Sequence, residues 1–306
     1  MKPIQIIFLI LPEVHLLDLA GADQVFLEAK DYGLDIDVSY CSYGVPIQTS
    51  TGIGLENIQH FSEIKASQGD YVIIPGAALG FLNSPEMSRQ QELFRWINDC
   101  YDNKANVCSI CTGSFFLAMA GLLDGKRCTT HWKRTAELQQ QYPKLQVVDN
   151  ILFTEDERIF TSAGVTSGID LALYIVAKIK DDLLSYKVAR ELVVYNRRAG
   201  NDAQQSVHLQ YRNHIHIGVH KIQDWLQEKI DTKMILDDLA DVACMSTRNM
   251  TRVFKKETGI TINDYIQLLR KEKIRELLKN PDLSRRDIAL QCGLKSERQV
   301  SRILHN

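Results

Sequence analysis

Apolar and polar positions along the first two thirds of the chain predict buried strands separated by helices. Residues 3–11 (PIQIIFLIL) and 71–76 (YVIIPG) are continuous apolar runs, the pattern of strands that are buried on both faces. Residues 36–42 (IDVSYCS) alternate, and the apolar strand 106–110 (NVCSI) leads directly into an apolar helical segment. Because strands that alternate with helices form parallel sheets, we predict an α/β parallel-sheet domain over residues 1–195 with helices on both faces.

The pattern changes after residue 195. Residues 196–216 are polar, rich in Gln and Asn, and lack periodicity, which is typical of a linker. From residue 217 to residue 306 the apolar positions recur only at helical spacing. We therefore predict a linker over 196–216 and an all-α domain over 217–306.

Residues 235–258 carry the pattern of a helix-turn-helix. A first helix places small and apolar side chains, including Leu239 and Ala240, on one face, and a tight turn of about three residues follows. A second helix turns Met250 and Phe254 inward. Arg and Asn side chains suit base edges in the major groove, and Lys suits phosphate. We predict DNA contacts from the outer face of this second helix, at Thr247, Arg248, Asn249, Thr251, Arg252, Lys255 and Lys256.

The pattern occurs a second time near the end of the chain. A long basic helix is predicted over 261–279, and a second helix-turn-helix over 282–304, with Gly293 in its turn. The second copy has its own outward-facing polar set on the last helix. We predict DNA contacts there from Ser296, Arg298, Gln299 and Arg302.

Charge is distributed unevenly along the chain. Residues 1–200 hold 18 Lys/Arg and 24 Asp/Glu, a net charge of −6, whereas residues 242–306 hold 14 and 7, a net charge of +7. A basic segment beside an acidic domain indicates a polyanionic partner for the C-terminal part. The seven cysteines are odd in number and irregular in spacing, which favours free thiols in a reducing compartment, and no apolar run is long enough to span a membrane. We expect a cytoplasmic protein without a membrane segment.

Cys111 is the main candidate for chemistry. It lies between a buried strand and the start of a helix, on a sharp turn that Gly113 eases. Free backbone N–H groups and the helix dipole favour a thiolate at such a position, which suits either a nucleophile or an anion-binding spot. His216 and His220 share a helical face, but no nearby Cys or carboxylate completes a ligand set. We therefore predict neither a metal site nor a cofactor.

Three segments resemble a known superfamily. SICTGSFFLAMAGLLDGKRCTTHW (109–132), LLDLAGADQVF (16–26) and TSAGVTSGIDLAL (161–173) are similar to the PfpI-type class I glutamine amidotransferase-like proteins. Together with the two helix-turn-helix copies, the chain resembles the GlxA-like regulators of the AraC/XylS family. The resemblance implies a flavodoxin-like sensor domain whose ligand pocket contains Asp18, Cys111, Thr112 and His131.

The resemblance also implies partners. Two recognition helices would enter successive major-groove segments of double-stranded promoter DNA, about one helical turn apart. A homodimer with a small-molecule effector is expected, and RNA polymerase is a further candidate partner.

Two interpretations of the Cys111 pocket remain open. In the sensor interpretation the pocket holds a small metabolite without turnover, and fusion to a DNA-binding domain favours this because a regulator needs a ligand that persists. In the enzyme interpretation Cys111, His131 and Asp18 form the catalytic group of a cysteine-dependent hydrolase or hydratase. The expected function is a sequence-specific transcription regulator that is not an enzyme.

Overall fold

The computed structural model divides the chain into two compact units. It describes residues 2–194, 198–232, 235–278, 280 and 282–305. The first unit covers Met1–Gln204 and the second covers Gln205–Asn306. The predicted linker 196–216 is thus divided between the units, and its boundary at residues 195 and 196 lies outside the described residues.

A seven-stranded sheet forms the centre of the first unit. Its strands lie in the order β10-β11-β7-β6-β1-β2-β5, where β1 is Ile4–Leu9, β2 is Ile36–Ser42, β5 is Gln59–His60, β6 is Tyr71–Ile74, β7 is Asn106–Ile110, β10 is Phe153–Asp156 and β11 is Ile159–Ser162. Two small sheets pair β3 (Ile47–Gln48) with β4 (Gly54–Leu55) and β8 (Arg127–Cys128) with β9 (Gln146–Val147).

The sheet is parallel except at one edge. Strands β10 and β11 pair antiparallel, with Phe153 opposite Ser162. Only two residues, Glu157 and Arg158, separate these strands, and a connection that short allows only an antiparallel return. The predicted parallel sheet is thus confirmed for the other strands, and the antiparallel β10–β11 hairpin at its edge is an addition that the sequence analysis did not predict.

Helices cover both faces of the sheet, as predicted. One apolar layer includes side chains of α1 (Leu16–Asp31), α7 (Thr166–Ile179) and α8 (Asp182–Glu191). The opposite layer includes those of α2 (Leu79–Leu82), α3 (Pro85–Ser88), α4 (Gln91–Asp102), α5 (Gly113–Met119) and α6 (Thr135–Gln141). Both layers contain fully buried aromatic side chains, such as Phe26 and Phe116, so the sheet is enclosed between two apolar cores.

All the regular secondary structure that the structure describes in the second unit is helical. Its helices are α9 (Val207–Gln210), α10 (Ile217–Glu228), α11 (Leu236–Val242), α12 (Thr247–Thr258), α13 (Ile262–Leu277), α14 (Arg285–Gln291) and α15 (Glu297–His305). Two separate apolar cores form, one around Phe254 and Tyr265 and one around Ile288 and Val300. Helix α13 contributes to both cores, so it joins the two predicted helix-turn-helix units, α11–α12 and α14–α15.

Within the described part of the chain, no helix is both long enough and apolar enough to cross a membrane.

The core of the first helix-turn-helix unit generates a stability prediction. Leu239 on α11 is fully buried, whereas Leu290 on α14 is 63% exposed. We expect Leu239→Ala to lower the free energy of unfolding of the second unit by about 2–5 kcal/mol, because it removes buried methyl groups and leaves a cavity. Leu290→Ala, the matched control, should change it by less than about 0.5 kcal/mol. Urea unfolding followed by circular dichroism measures both, and equal effects would contradict the described core.

Candidate effector pocket and nucleic-acid interface

Cys111 occupies the sharp turn that the sequence predicts. Cys111 directly follows the last residue of β7 and precedes α5, and its φ is +55°. Its N–H donates to the Ser162 carbonyl at 2.9 Å, and its own carbonyl accepts from the Thr130 hydroxyl at 2.8 Å. Gly113 is required by close approach, since an added Cβ would lie 2.3 Å from the Ile74 carbonyl oxygen. The turn is therefore held from both sides.

Asp18 lies beside Cys111 in the first turn of α1. Its side chain is only 2% exposed, its Oδ1 accepts from the Val165 N–H at 2.5 Å, and its Oδ2 lies 3.3 Å from Nδ1 of His15. The ligand-type atoms of His15, Asp18 and Cys111 all lie within 4.8 Å of one another. Among the described residues, these three side chains lie close enough together to hold a metal ion. The sequence analysis predicted no metal site.

His15 is a residue beside Cys111 that the sequence analysis did not name. It occupies the N-cap position of α1, three residues before Asp18. That i, i+3 spacing is visible in the sequence and places both side chains on one side of the first turn. The polar set beside the sulfur therefore contains His15 as well as the predicted Asp18.

The electrostatics of this group favour a neutral thiol. Burial raises the pKa of Cys111, and the neighbouring Asp18 carboxylate raises it further. Hydrogen bonds from Thr112 act in the opposite direction but contribute less. The expectation of a thiolate, based on the helix N-terminus alone, is therefore opposed by desolvation and by the nearby like charge.

The other two predicted pocket residues, Thr112 and His131, differ in burial and in hydrogen bonding. Thr112 is buried, and its hydroxyl donates to the Ala77 carbonyl at 2.6 Å while accepting from the Ala77 N–H at 3.0 Å. His131 is half-buried; burial and the nearby Lys133 lower its pKa, and Asp18 partly offsets this shift. Thr112 is thus tied to the backbone, whereas the His131 imidazole favours its neutral form.

The base-contact side chains predicted on α12 are exposed. Arg248, Asn249 and Arg252 all reach solvent, and the Arg252 guanidinium donates to the Asn249 amide oxygen at 2.9 Å. Lys255 and Lys256 are also exposed. Cationic and amide groups therefore cover the outer face of this helix.

The turn before α12 is tightly specified. Cys244 has a φ of +53°, a conformation that usually favours glycine, and the Ser246 hydroxyl caps α12 by accepting from the Asn249 N–H. The predicted contacts Thr247 and Thr251 are half-buried, and their hydroxyls donate to Asp237 and to the Thr247 carbonyl. These two hydroxyls are therefore engaged within the unit.

The outer face of α12 forms one wall of an open groove. The first turn of α13 lines the same groove through Thr261, Ile262 and Asn263. Arg248, Arg252 and Lys255 lie in the α12 wall. The groove therefore combines positive charge with exposed polar groups, as a surface that binds nucleic acid requires.

The last helix presents a smaller polar face. Ser296, Arg298 and Arg302 are exposed, while Val300 faces the second core. Gln299 is half-buried and its amide oxygen accepts from the Lys295 N–H at 2.7 Å, which leaves its NH2 group as the free part of the amide.

Gly164 provides a test of the close packing around Cys111. Its φ is +83°, and an added Cβ would lie 2.1 Å from the Cys111 Cβ. Gly33 has a similar φ of +88° but open space at the Cβ position. We expect Gly164→Ala to cost several kcal/mol more stability than Gly33→Ala, since both carry the cost of a left-handed alanine but only the first creates a clash. Thermal unfolding measures the difference, and equal losses would refute the crowding.

Alkylation tests the protonation of the Cys111 thiol. Because its pKa is raised, the logarithm of the rate with iodoacetamide should still increase above pH 9, with no plateau there. Asp18→Asn removes the like charge, lowers the pKa and should accelerate the reaction at pH 8. Peptide mass spectrometry separates Cys111 from the exposed Cys244, which serves as the internal reference. A rate that levels off at pH 7 would mean that the thiolate is favoured after all.

Comparison with known proteins agrees with these two units. Residues 4–178 match the DJ-1/PfpI family, and residues 239–305 match a helix-turn-helix domain. The chain is 28% identical over 300 residues to the HTH-type transcriptional regulator CdhR of Pseudomonas aeruginosa, covering 96% of this chain and 86% of that protein. It is 34% identical over 177 residues to the isonitrile hydratase of Pseudomonas putida, covering 58% and 72%.

A solved structure supports the fold. The AraC family transcriptional regulator from Pseudomonas putida has a TM-score of 0.54 at 23% identity, over 62% of this chain and all of that chain. The family match covers more than half of the sequence and contains the Asp18–Cys111 pair. The chain therefore belongs to the DJ-1/PfpI family and carries a C-terminal AraC-type helix-turn-helix domain.

Proposed function

We propose that this protein is a transcription regulator that binds promoter DNA through α12 and α15 and is controlled by a small molecule bound beside Cys111. The observation that carries the proposal is the pair of helix-turn-helix units, each with exposed arginines on its second helix, in one chain with a DJ-1/PfpI domain. Relatives named as HTH-type transcriptional regulators support it. A promoter partner and free thiols favour the cytoplasm as its compartment.

The exposed residues divide into two roles. Arginine and asparagine can form paired hydrogen bonds with base edges, so Arg248, Asn249 and Arg252 are the specificity residues of α12. Arg298, Gln299 and Arg302 have the same role on α15. Lys255 and Lys256 hold the phosphate backbone, and Thr247, Thr251 and Ser296 border the contacted bases.

The effector site is the space beside Asp18, Cys111, Thr112 and His131, to which His15 is added. The buried Asp18 carboxylate and the imidazoles of His15 and His131 offer hydrogen-bonding groups to a small polar molecule. The neutral Cys111 thiol offers a weakly polar contact surface. Two copies of the chain would place two pairs of recognition helices on paired half-sites, so the active form is a homodimer. A promoter-bound dimer can then contact RNA polymerase.

A second candidate function is a cysteine-dependent hydratase or hydrolase. The observation that favours it is the proximity of His15, Asp18 and Cys111, because a nucleophile, an imidazole and a carboxylate are the groups such catalysis needs. Incubation with an alkyl isonitrile, with Cys111→Ser as control, tests it. Turnover that the substitution abolishes would establish the enzyme, and no turnover would leave the sensor.

Substitutions on the recognition helices test DNA binding. We expect Arg248→Ala and Arg298→Ala each to weaken binding to the target promoter by about 5–150-fold, the equivalent of one lost base contact of about 1–3 kcal/mol. Lys255→Ala should weaken binding to all sequences similarly and reduce the slope of log K against log salt by about one. Fluorescence anisotropy with DNA upstream of the gene and its neighbours, at two salt concentrations, measures these effects.

The control is Arg95→Ala, which removes an exposed arginine from α4 of the first unit. It should leave affinity unchanged. Binding that is strongly salt-dependent and insensitive to both recognition-helix substitutions would mean nonspecific attraction to phosphate, and the proposed function would fail.

A further inference from the structure

Residues 198–204, hereafter the strap, are docked on the first unit immediately before the second unit begins. Leu152 donates its N–H to the Gly200 carbonyl at 2.9 Å and to the Asp202 carbonyl at 3.0 Å. Gly200 has no room for a side chain, since an added Cβ would lie 2.8 Å from the Phe153 ring and carbonyl. Although the sequence predicts a free linker here, the strap is specifically packed.

The first residue of the strap is held by a charged contact. The Arg198 guanidinium donates to Asp170 Oδ2 from Nε at 3.1 Å and from a terminal nitrogen at 2.5 Å, and its backbone N–H donates to Oδ1 at 3.2 Å. Asp170 is only 4% exposed, so its burial raises its pKa, and Arg198 offsets part of that shift. A fourth hydrogen bond of Arg198, 2.9 Å long, runs from its guanidinium to the Thr166 hydroxyl.

The last residue of the strap is held by an amide. Gln204 Nε2 donates to the Thr130 carbonyl at 3.0 Å, and its backbone N–H donates to Asn150 Oδ1 at 3.1 Å. Its Oε1 is buried, and among the described residues no hydrogen-bond partner reaches it. The amide of Gln204 therefore donates a hydrogen bond through Nε2 but accepts none from the described residues at its buried Oε1. A buried acceptor without a partner weakens the attachment of the strap.

Both anchors contact residues that adjoin the effector site. Thr130, which Gln204 binds, donates its hydroxyl to the Cys111 carbonyl and directly precedes His131. Thr166, which Arg198 binds, directly follows Val165, whose N–H binds the Asp18 carboxylate. A ligand that displaces the Cys111 carbonyl or the Asp18 carboxylate is therefore expected to disturb the residues that the strap contacts.

We propose that Gln204 and Arg198 are positioning residues that couple occupancy of the Cys111 pocket to docking of the strap, and through it to the DNA-binding unit that starts at Gln205. The regulatory meaning rests on the proposed function, but the coupling itself does not. Coupling between two sites is reciprocal, so loosening the strap must change the pocket, and changing the pocket must loosen or tighten the strap.

The full-length protein allows both directions to be tested without knowledge of the effector. The probe for the pocket is the rate at which iodoacetamide alkylates Cys111 at pH 9, and the probe for the strap is deuterium uptake at residues 198–204. Gln204→Ala should raise the uptake and accelerate alkylation about fivefold or more. In the other direction, Asp18→Asn should change uptake at 198–204 relative to the wild type.

Matched variants separate the coupling from a general loss of fold. Gln210→Ala makes the same change at an exposed site on α9 and should alter neither probe. Thr130→Val removes the hydroxyl bound to Cys111 and should behave like Gln204→Ala, whereas Thr130→Ser keeps the hydroxyl and should behave like the wild type. If Gln204→Ala unfolds the protein, the Thr130 pair still decides the matter.

Two results would overturn the proposal. One is a rise in uptake at the strap with alkylation of Cys111 unchanged within twofold, because the two sites would then be independent. The other is unchanged uptake in Gln204→Ala, because Gln204 would then not anchor the strap. Neither probe involves DNA, so a failure of promoter binding would refute the proposed function and leave this test intact.

Discussion

Close backbone approach at Cys111 is the constraint on which the rest of the first unit depends. The turn after β7 meets the segments at Gly76 and Gly164, and in both places an added Cβ would lie within 3 Å of Cys111. Side chains can crowd together this tightly only where glycine removes the obstacle. The result is a buried sulfur with a buried carboxylate next to it, and every other property of the pocket follows from that enclosure.

The enclosure decides what chemistry the sulfur can do. A helix N-terminus stabilises negative charge by a modest amount, whereas burial of an ion and a like charge nearby oppose it more strongly. At Cys111, burial and the Asp18 carboxylate outweigh the hydrogen bonds from Thr112, and the pKa of the thiol is raised. A neutral thiol is a poor nucleophile, so the raised pKa of Cys111 supports the proposed sensor function over the hydrolase alternative.

The described part of the second unit has no central sheet, and its long helix α13 instead packs into two small apolar cores. Helix α13 has 16 residues, about 24 Å of helix, and packs Leu269 and Ile274 into neighbouring cores. Each core alone contains few buried side chains. Sharing α13 connects α12 and α15 through one continuous helix, which suits the proposed docking of both helices on DNA.

Sequence patterns predicted those elements of the fold that local periodicity or a short motif specifies. The buried strands β1, β6 and β7 and both helix-turn-helix units were visible in this way, whereas Asp18 was named together with Cys111 only through the resemblance to the PfpI-type proteins. The β10–β11 hairpin was missed although its strands are neighbours in sequence. His15 was missed because its proximity to Cys111 arises only in the fold. The same holds for the strap: Gln204 looks like one more polar linker residue until the fold brings Thr130 to it. A polar, aperiodic segment can therefore be as precisely placed as a strand, and here that placement connects the pocket to the start of the DNA-binding unit.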